Sequence, residues 1–473
     1  VNSTGVGPAQ PERMHAISEE ARRIVESVID YSRRRALWQD IPLDLPDSPE
    51  RLALRASGSI TRTGIGAEEA LRLWDQELAP TCLSTDHPGY LSFIPSAPSK
   101  ASIAFDLIVS ASSIYGGSWL EGAGAVYAEN EVIAWLAEEF GLPPEAGGVF
   151  VQGGTIGNLS ALVAARDVAR RRNAAAGRPN PSRWVVVCSA ESHSSIASAA
   201  SVMDIDVVGI RPGADGRLHA DAVERALDEH GEAVFAVVAT AGTTNFGIID
   251  DIGGIAEAVH ARDVWLHVDG AYGLAGMLVE EMRPAYRGVE RADSVIVDPH
   301  KWLFAPFDAC ALIYRDPRAA LRAHTQHAEY LDTLADGGMV NPSDLAVQLT
   351  RRARGLPLWF SLATYGTDEY RSAIGYGIAL ARRIADEIAA RPGLTLVREP
   401  QLSVVVFRVD GWASEDYGRW SERLLERQHA FVVPSSHDGE PVLRFAIVNP
   451  QTSFDLLCSI LDTLVEARAD RAA

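Results

Sequence analysis

The chain has 473 residues, 47% of them hydrophobic and 22% charged, with a formal net charge of −20. That balance is ordinary for a globular protein, excludes a disordered one, and weighs against nucleic acid or anionic membranes as partners. No apolar run approaches the ~18 residues of a membrane span, and Cys82, Cys188, Cys310 and Cys458 form no CxxC pair.

With no signal-like apolar segment at the start, the expectation is a soluble cytoplasmic protein with free thiols. About the first ten residues are small and polar. The spacing of Ile17, Ile24, Val25, Val28 and Ile29 predicts an amphipathic helix over 11–37. Three prolines in IPLDLPDSPE end it, and a second helical stretch covers 67–77. The segment 87–98 reads as irregular, with helices following as far as Phe140.

From Gly148 the texture changes. GVFVQ, RWVVVCS, DIDVVGI, AVFAVVAT, VWLHVD, DSVIVD and CALIY read as strands, with helices over 159–171, 220–230 and 252–262 among them. Apolar strands alternating with helices indicate a mostly parallel α/β sheet covered on both faces. Its ligands belong beyond the carboxyl ends of the strands. After about Tyr376 a helix over 378–390, the strand-like LTLVREP, SVVVFRVD, AFVVPSS and VLRFAIV, and a closing helix over 453–468 suit a small α+β domain. The expected division is 1–86, 87–375 and 376–473.

Four strand ends carry polar signatures. FVQGGTIGNLSAL sets Gly153, Gly154 and Thr155 between a strand and a helix. Free N–H groups and the helix dipole there suit a phosphate, though the same glycines suit an ordinary tight turn. CSAESHSSI puts His193 just past a strand, as a functional or a surface residue. WLHVDGAYG ends a strand in Asp269, which reads as a partner for a cofactor nitrogen or as a helix cap. His267 shares its sheet face at period two, so a metal pair stays open on spacing alone; no metal is expected.

The fourth signature is SVIVDPHKWLF. Of 43 basic residues only Lys100 and Lys301 are lysine. Arginine serves as well on a surface, but only lysine can lose its proton and attack an aldehyde. A phosphate turn, a strand-end acid and a buried lysine are together what pyridoxal 5'-phosphate requires.

In this order the residues resemble the group II pyridoxal-phosphate decarboxylases, which include aromatic-L-amino-acid and glutamate decarboxylases. The resemblance runs through HPGYLSFIP, GGTIGNLSALVAAR, SHSSI, TAGTTN, HVDGAYG, DPHKW, RRARGLPLWF and LRFAIVNP, and covers most of the chain. It implies the α/β aspartate-aminotransferase-like fold (fold type I): a mainly parallel seven-stranded sheet, an N-terminal helical segment that wraps a partner, and a small C-terminal α+β domain. It further implies a homodimer with active sites at the interface.

By this resemblance Lys301 holds pyridoxal 5'-phosphate as a Schiff base, Asp269 pairs with the pyridine nitrogen, His193 stacks on the ring and Ala271 packs on its other face. Gly154, Thr155 and His300 surround the phosphate, Asp298 belongs to the same shell, and Thr244 contacts the cofactor or the substrate carboxylate side. The implied reaction is decarboxylation of an L-amino acid to the amine and carbon dioxide through a quinonoid. The alternatives are oxidative deamination to an aldehyde, another lyase on this fold, or a non-catalytic scaffold. A scaffold needs neither Asp269 nor Lys301.

Two departures stand out. DPHKW replaces the NPHKW common in the animal enzymes, so Asp298 loses an amide donor and adds negative charge near the phosphate. In DGGMVNPSDLAVQLTRRARGL no tyrosine stands where the family's lid tyrosine is expected; Pro342 falls near that place and Tyr330 lies upstream. Gly337 and Gly338 suit a mobile lid. Phe93, Ile94 and Pro95 match a stretch that lines the family's substrate pocket, and Trp119 falls near a pocket aromatic supplied by the neighbouring subunit. That wall favours an aromatic or hydrophobic substrate, unless Trp119 fills the pocket and selects a smaller one, or Phe93 and Trp119 are core or interface residues.

Overall fold

The computed structural model describes residues 14–326 and 340–472, so Tyr330, Gly337 and Gly338 lie outside the described residues. The chain forms two compact units, Val1–Ser84 and Thr85–Ala473.

In the first unit, α1 (Glu19–Ala36) starts where the Ser18 hydroxyl accepts the Ala21 N–H at 3.1 Å. Glu19 and Glu20 lie in its first turn and Arg33, Arg34 and Arg35 in its last, each sign matching the helix dipole. Its apolar stripe stays open: Ile24, Val25, Val28 and Ile29 are all exposed. After α2 (Pro49–Ala56), capped by Ser48, α3 (Ala67–Leu73) runs into a π turn over Trp74–Leu78, so the α-helix is shorter than its periodicity predicts.

In the second unit, α4 (Lys100–Ser112) and α5 (Trp119–Glu139) precede the main sheet. All seven expected strands form: β1 (Gly147–Val151), β2 (Val185–Ser189), β3 (Asp206–Ile210), β4 (Val234–Thr240), β5 (Trp265–Asp269), β6 (Ser294–Val297) and β7 (Cys310–Tyr314). Their order is β1-β7-β6-β5-β4-β2-β3. The pairs β2–β3, β2–β4, β4–β5 and β5–β6 are parallel, while β7 runs antiparallel to both β1 and β6. Every residue of β4 is buried, as a central strand under helices on both faces must be. The helices α6 (Gly154–Ala175), α7 (Ser195–Met203), α8 (Ala220–His230) and α9 (Ile252–His260) fill the connections.

A second sheet, in the order β10-β11-β9-β8, joins β8 (Leu394–Arg398), β9 (Val404–Val409), β10 (Ser435–His437) and β11 (Glu440–Ala446). The helix Thr367–Ala390 runs across the position near Tyr376 where the texture changes. One strand expectation is corrected. Of AFVVPSS, 430–433 makes only an isolated bridge, Tyr90 to Phe431, and only its last two residues, Ser435 and Ser436, enter a strand, β10. The hydrogen bonds of 430–433 go instead to the HPGYLSFIP stretch: the Phe431 N–H donates to Gly89 O, the Leu91 N–H to Phe431 O, and the Val433 N–H to Ser92 Oγ. Pro434, which has no N–H to give, ends this pairing.

Candidate active site

The carboxyl ends of β1, β4, β5 and β6 meet at one cavity of about 330 Å³. After β1 the chain turns through Gly153 into α6, whose first turn has no side-chain cap; the Ile156 and Gly157 N–H groups bond to Gly153 O, while Gly154 and Thr155 line the cavity at the helix start. A side chain on Gly154 would bring its Cβ to 3.3 Å from Ala271 Cβ, Ile296 Cδ1 and Asp298 Oδ2, tight enough that the bare backbone is what fits. After β6 a turn sets Lys301 on the rim: the Lys301 N–H donates to Asp298 O and the Asp298 N–H to Ala271 O, both at 2.9 Å. Trp302, fully buried and stacked on Tyr272 at 5.1 Å, anchors that turn in the core.

Lys301 Nζ lies 2.9 Å from Asp298 Oδ2, and His300 Nε2 lies 3.7 Å from the same oxygen. Burial alone would push the Lys301 amine down, but the Asp298 carboxylate outweighs it and holds the amine above its ordinary value. Burial acts on Asp298 in the opposite sense and is likewise outweighed by Lys301 and His300, so Asp298 is held low. Burial, more than any charge, holds His300 below the ordinary imidazole value. Its Nδ1 is moored 2.7 Å from Ala309 O, and its ring faces Phe307 at 5.0 Å.

Asp269, at the end of β5, accepts from the Ala271 N–H at 3.1 Å and from Asn158 Nδ2 at 2.9 Å. Asn158, one turn into α6, also reaches Ser195 Oγ at 2.8 Å, and Ser195 Oγ lies 2.9 Å from His193 Nδ1. The Asn158 carbonyl faces His267 Nε2 at 2.8 Å, and His267 Nδ1 meets Ser294 Oγ at 2.8 Å. Both ring nitrogens of His267 are therefore engaged in hydrogen bonds, and His267 and Asp269, two positions apart on β5, both reach Asn158.

Gly154, Thr155, His193, Thr244, Asp269, Ala271, Asp298, His300 and Lys301 all line the cavity. Phe93, Ile94, Pro95 and Trp119 are not among its lining residues. Phe93 is exposed, with a left-handed φ of 54°. Ile94 packs on the main core, Pro95 is buried, and Trp119 is half-buried at the start of α5. One link ties Phe93 to the site: Arg444 Nη2 of β11 donates to both Phe93 O, at 2.9 Å, and Thr244 O, at 2.6 Å. Asn158, Ser195, Thr240, Gly242, Tyr272, Phe307 and Asp308 line the cavity without having been singled out in the sequence. For Asn158 a signal existed, as an amide in an otherwise apolar stretch of helix.

Residues 67–410 match the model of the pyridoxal-dependent decarboxylase conserved domain. The chain belongs to the pyridoxal-dependent decarboxylase family. Over 469 residues it is 28% identical to an aromatic-L-amino-acid decarboxylase of Bacillus atrophaeus, covering 95% of this chain and 96% of that one. It is 30% identical to an L-2,4-diaminobutyrate decarboxylase of Acinetobacter baumannii over 440 residues, 87% of this chain and 86% of the other. Among solved structures, Oryza sativa TDC with PLP and tryptamine superposes with a TM-score of 0.87 at 26% identity, over 98% of this chain and 99% of that chain. This decarboxylase is thus a pyridoxal 5'-phosphate enzyme of fold type I that acts on an amino acid.

The cavity fits that cofactor on its own terms. An uncapped helix start takes a phosphate, a strand-end carboxylate takes a pyridine N–H, and a lysine at the rim takes an aldehyde. Among the described residues no helix is long and apolar enough to cross a membrane.

Proposed function

We propose that this decarboxylase removes the carboxylate of an aromatic or hydrophobic L-amino acid and releases the amine, with Lys301, Asp269 and His193 as its catalytic residues. The observation that carries the reading is the convergence of the α6 start, Asp269 and Lys301 on one cavity. Pyridoxal phosphate, when bound, supplies an electron sink for the pair left on the substrate Cα.

The protein supplies the rest. Gly154, Thr155 and His300 hold the phosphate. Asp269 keeps a proton on the pyridine nitrogen, His193 and Ala271 cover the two ring faces, and Thr244 lies on the carboxylate side. Lys301 would hold the cofactor's aldehyde through its amine, and Asp298 would be the counter-ion of that amine when it is free and protonated. Support for an aromatic substrate comes from the relative from Bacillus atrophaeus and from Phe93, whose ring is open beside the Arg444 link to Thr244. The open stripe of α1 supports a homodimer in which a second copy completes the pocket wall, with Trp119 of one subunit facing the site of the other. We place the enzyme in the cytoplasm, where the free cysteines stay reduced.

The test is a product assay on the cofactor-loaded enzyme with a panel of amino acids under air, measuring carbon dioxide, amine, aldehyde and peroxide together. Carbon dioxide matched by amine from an aromatic amino acid is the expected result. Carbon dioxide with aldehyde and peroxide would replace the proposal with oxidative deamination. Turnover of 2,4-diaminobutyrate alone would overturn the substrate class.

A further inference from the structure

We propose that Asn158 is a positioning residue that sets the carboxylate of Asp269 and, through Ser195, the ring of His193. The inference rests on the reading of Asp269 and His193 as cofactor contacts.

The argument is one of hydrogen-bond polarity. The Asp269 carboxylate accepts, so the Asn158 group 2.9 Å from its Oδ2 is the amide NH2, and Asn158 Oδ1 is the atom that faces His267. His267 then carries its proton on Nε2 and donates to Asn158 Oδ1 at 2.8 Å. Burial pushes the His267 ring down to about 4, in keeping with a neutral imidazole. A neutral ring protonated on Nε2 accepts at Nδ1, so the Ser294 hydroxyl donates to it at 2.8 Å, and the second Nδ2 proton of Asn158 goes to Ser195 Oγ. Ser195 in turn presents both its N–H, at 3.2 Å, and its hydroxyl, at 2.9 Å, to His193 Nδ1, leaving the His193 proton on Nε2. Asn158 is buried, and all three of its amide bonding directions named here are taken. Such a network has one low-energy arrangement, so the acid and the imidazole are set together.

Two readouts test this. In cofactor-free protein labelled with 15N-histidine, His267 should show one tautomer, protonated on Nε2, and Asn158→Ala should give a mixture, because the remaining partner, Ser294, can donate or accept. Removing a donor from a carboxylate raises its proton affinity. The acid limb of pyridoxal 5'-phosphate binding against pH should therefore move to higher pH in Asn158→Ala, with affinity about tenfold weaker at neutral pH.

Ser195→Ala cuts the His193 arm alone and should leave the acid limb where it is. Asn158→Leu, closer in volume, serves if the alanine variant fails to fold. An unchanged His267 tautomer with an unmoved acid limb would overturn the inference. If Asp269→Asn binds the cofactor as tightly as wild type, the reading of Asp269 is what fails. A normal loss in Asp269→Asn with no shift in Asn158→Ala overturns the relay alone.

Discussion

Lys301 Nζ and Asp298 Oδ2 form a direct ion pair at 2.9 Å in the cavity wall, with Asp298 almost fully buried. The pair gives DPHKW a physical meaning that an asparagine at position 298 would not have. The carboxylate balances the free amine whenever Lys301 is not bound to the aldehyde. It also keeps that amine protonated to higher pH than burial alone would allow.

Asp298→Asn should therefore lower the pH at which Lys301 becomes nucleophilic. Lys301 is raised from its ordinary 10.5, so its share of stability is present below that value and is lost as pH rises through the higher folded value. Asp298 is lowered from 3.8, so its share is present above that value and is lost as pH falls through the lower folded value. The pair thus stabilises the protein throughout the neutral range. The check is the pH dependence of the rate at which cofactor-free protein reacts with pyridoxal. The midpoint for Asp298→Asn should lie below that of wild type; a midpoint at or above it would contradict the pairing.

Phe93 carries a left-handed backbone on a bulky residue, a conformation that costs on the order of 1–3 kcal/mol. Phe93→Gly removes that strain and should leave thermal stability equal or higher. If the exposed ring meets the substrate side chain, KM for an aromatic amino acid should rise several-fold while kcat changes less. A fall in stability with unchanged KM would make Phe93 a packing residue instead.

The RRARGL stretch acts through burial. Arg351 Nη2 meets Glu129 Oε2 at 2.8 Å with both residues buried, and Glu129 Oε1 accepts the Gly355 N–H at 2.7 Å. Stranding one partner of such a pair costs about 3–5 kcal/mol. Glu129→Ala should lower the urea midpoint accordingly, and Glu129→Gln, which can still accept from Gly355, should lower it less. Equal midpoints for wild type and Glu129→Ala would refute the stabilising role.

How much of this was legible in the sequence depended on how local each signal is. Six of the seven strands of the main sheet are legible because a buried strand is a largely apolar run, as VVVCS and VFAVVAT are, while β3, at the sheet edge, is mostly exposed. The glycine turn, Asp269 and Lys301 were readable because strand ends are where polar residues interrupt such runs. The helical pattern places the start of α6 at Leu159, later than the observed Gly154, because Gly154 and Gly157 are weak helix formers whose small size is demanded by the neighbouring Ile296. AFVVPSS looked like a sheet strand, yet its partner is the Gly89–Leu91 backbone some 340 residues earlier, as the Ser92–Val433 separation of 341 attests. The amide relay was hidden for the same reason: Asn158 meets Asp269 across 111 positions and His267 across 109. Polar residues paired over such distances leave no periodicity to read.

The most direct test of the central claim is borohydride reduction of the cofactor-loaded enzyme followed by peptide mapping. The chain contains only two lysines, Lys100 and Lys301, so the position of the phosphopyridoxyl group is unambiguous. The group should be found on Lys301 and be absent from Lys301→Ala. Its appearance on Lys100, or its absence from both lysines of a protein that still retains the cofactor, would contradict the assignment of Lys301 as the residue that holds the aldehyde.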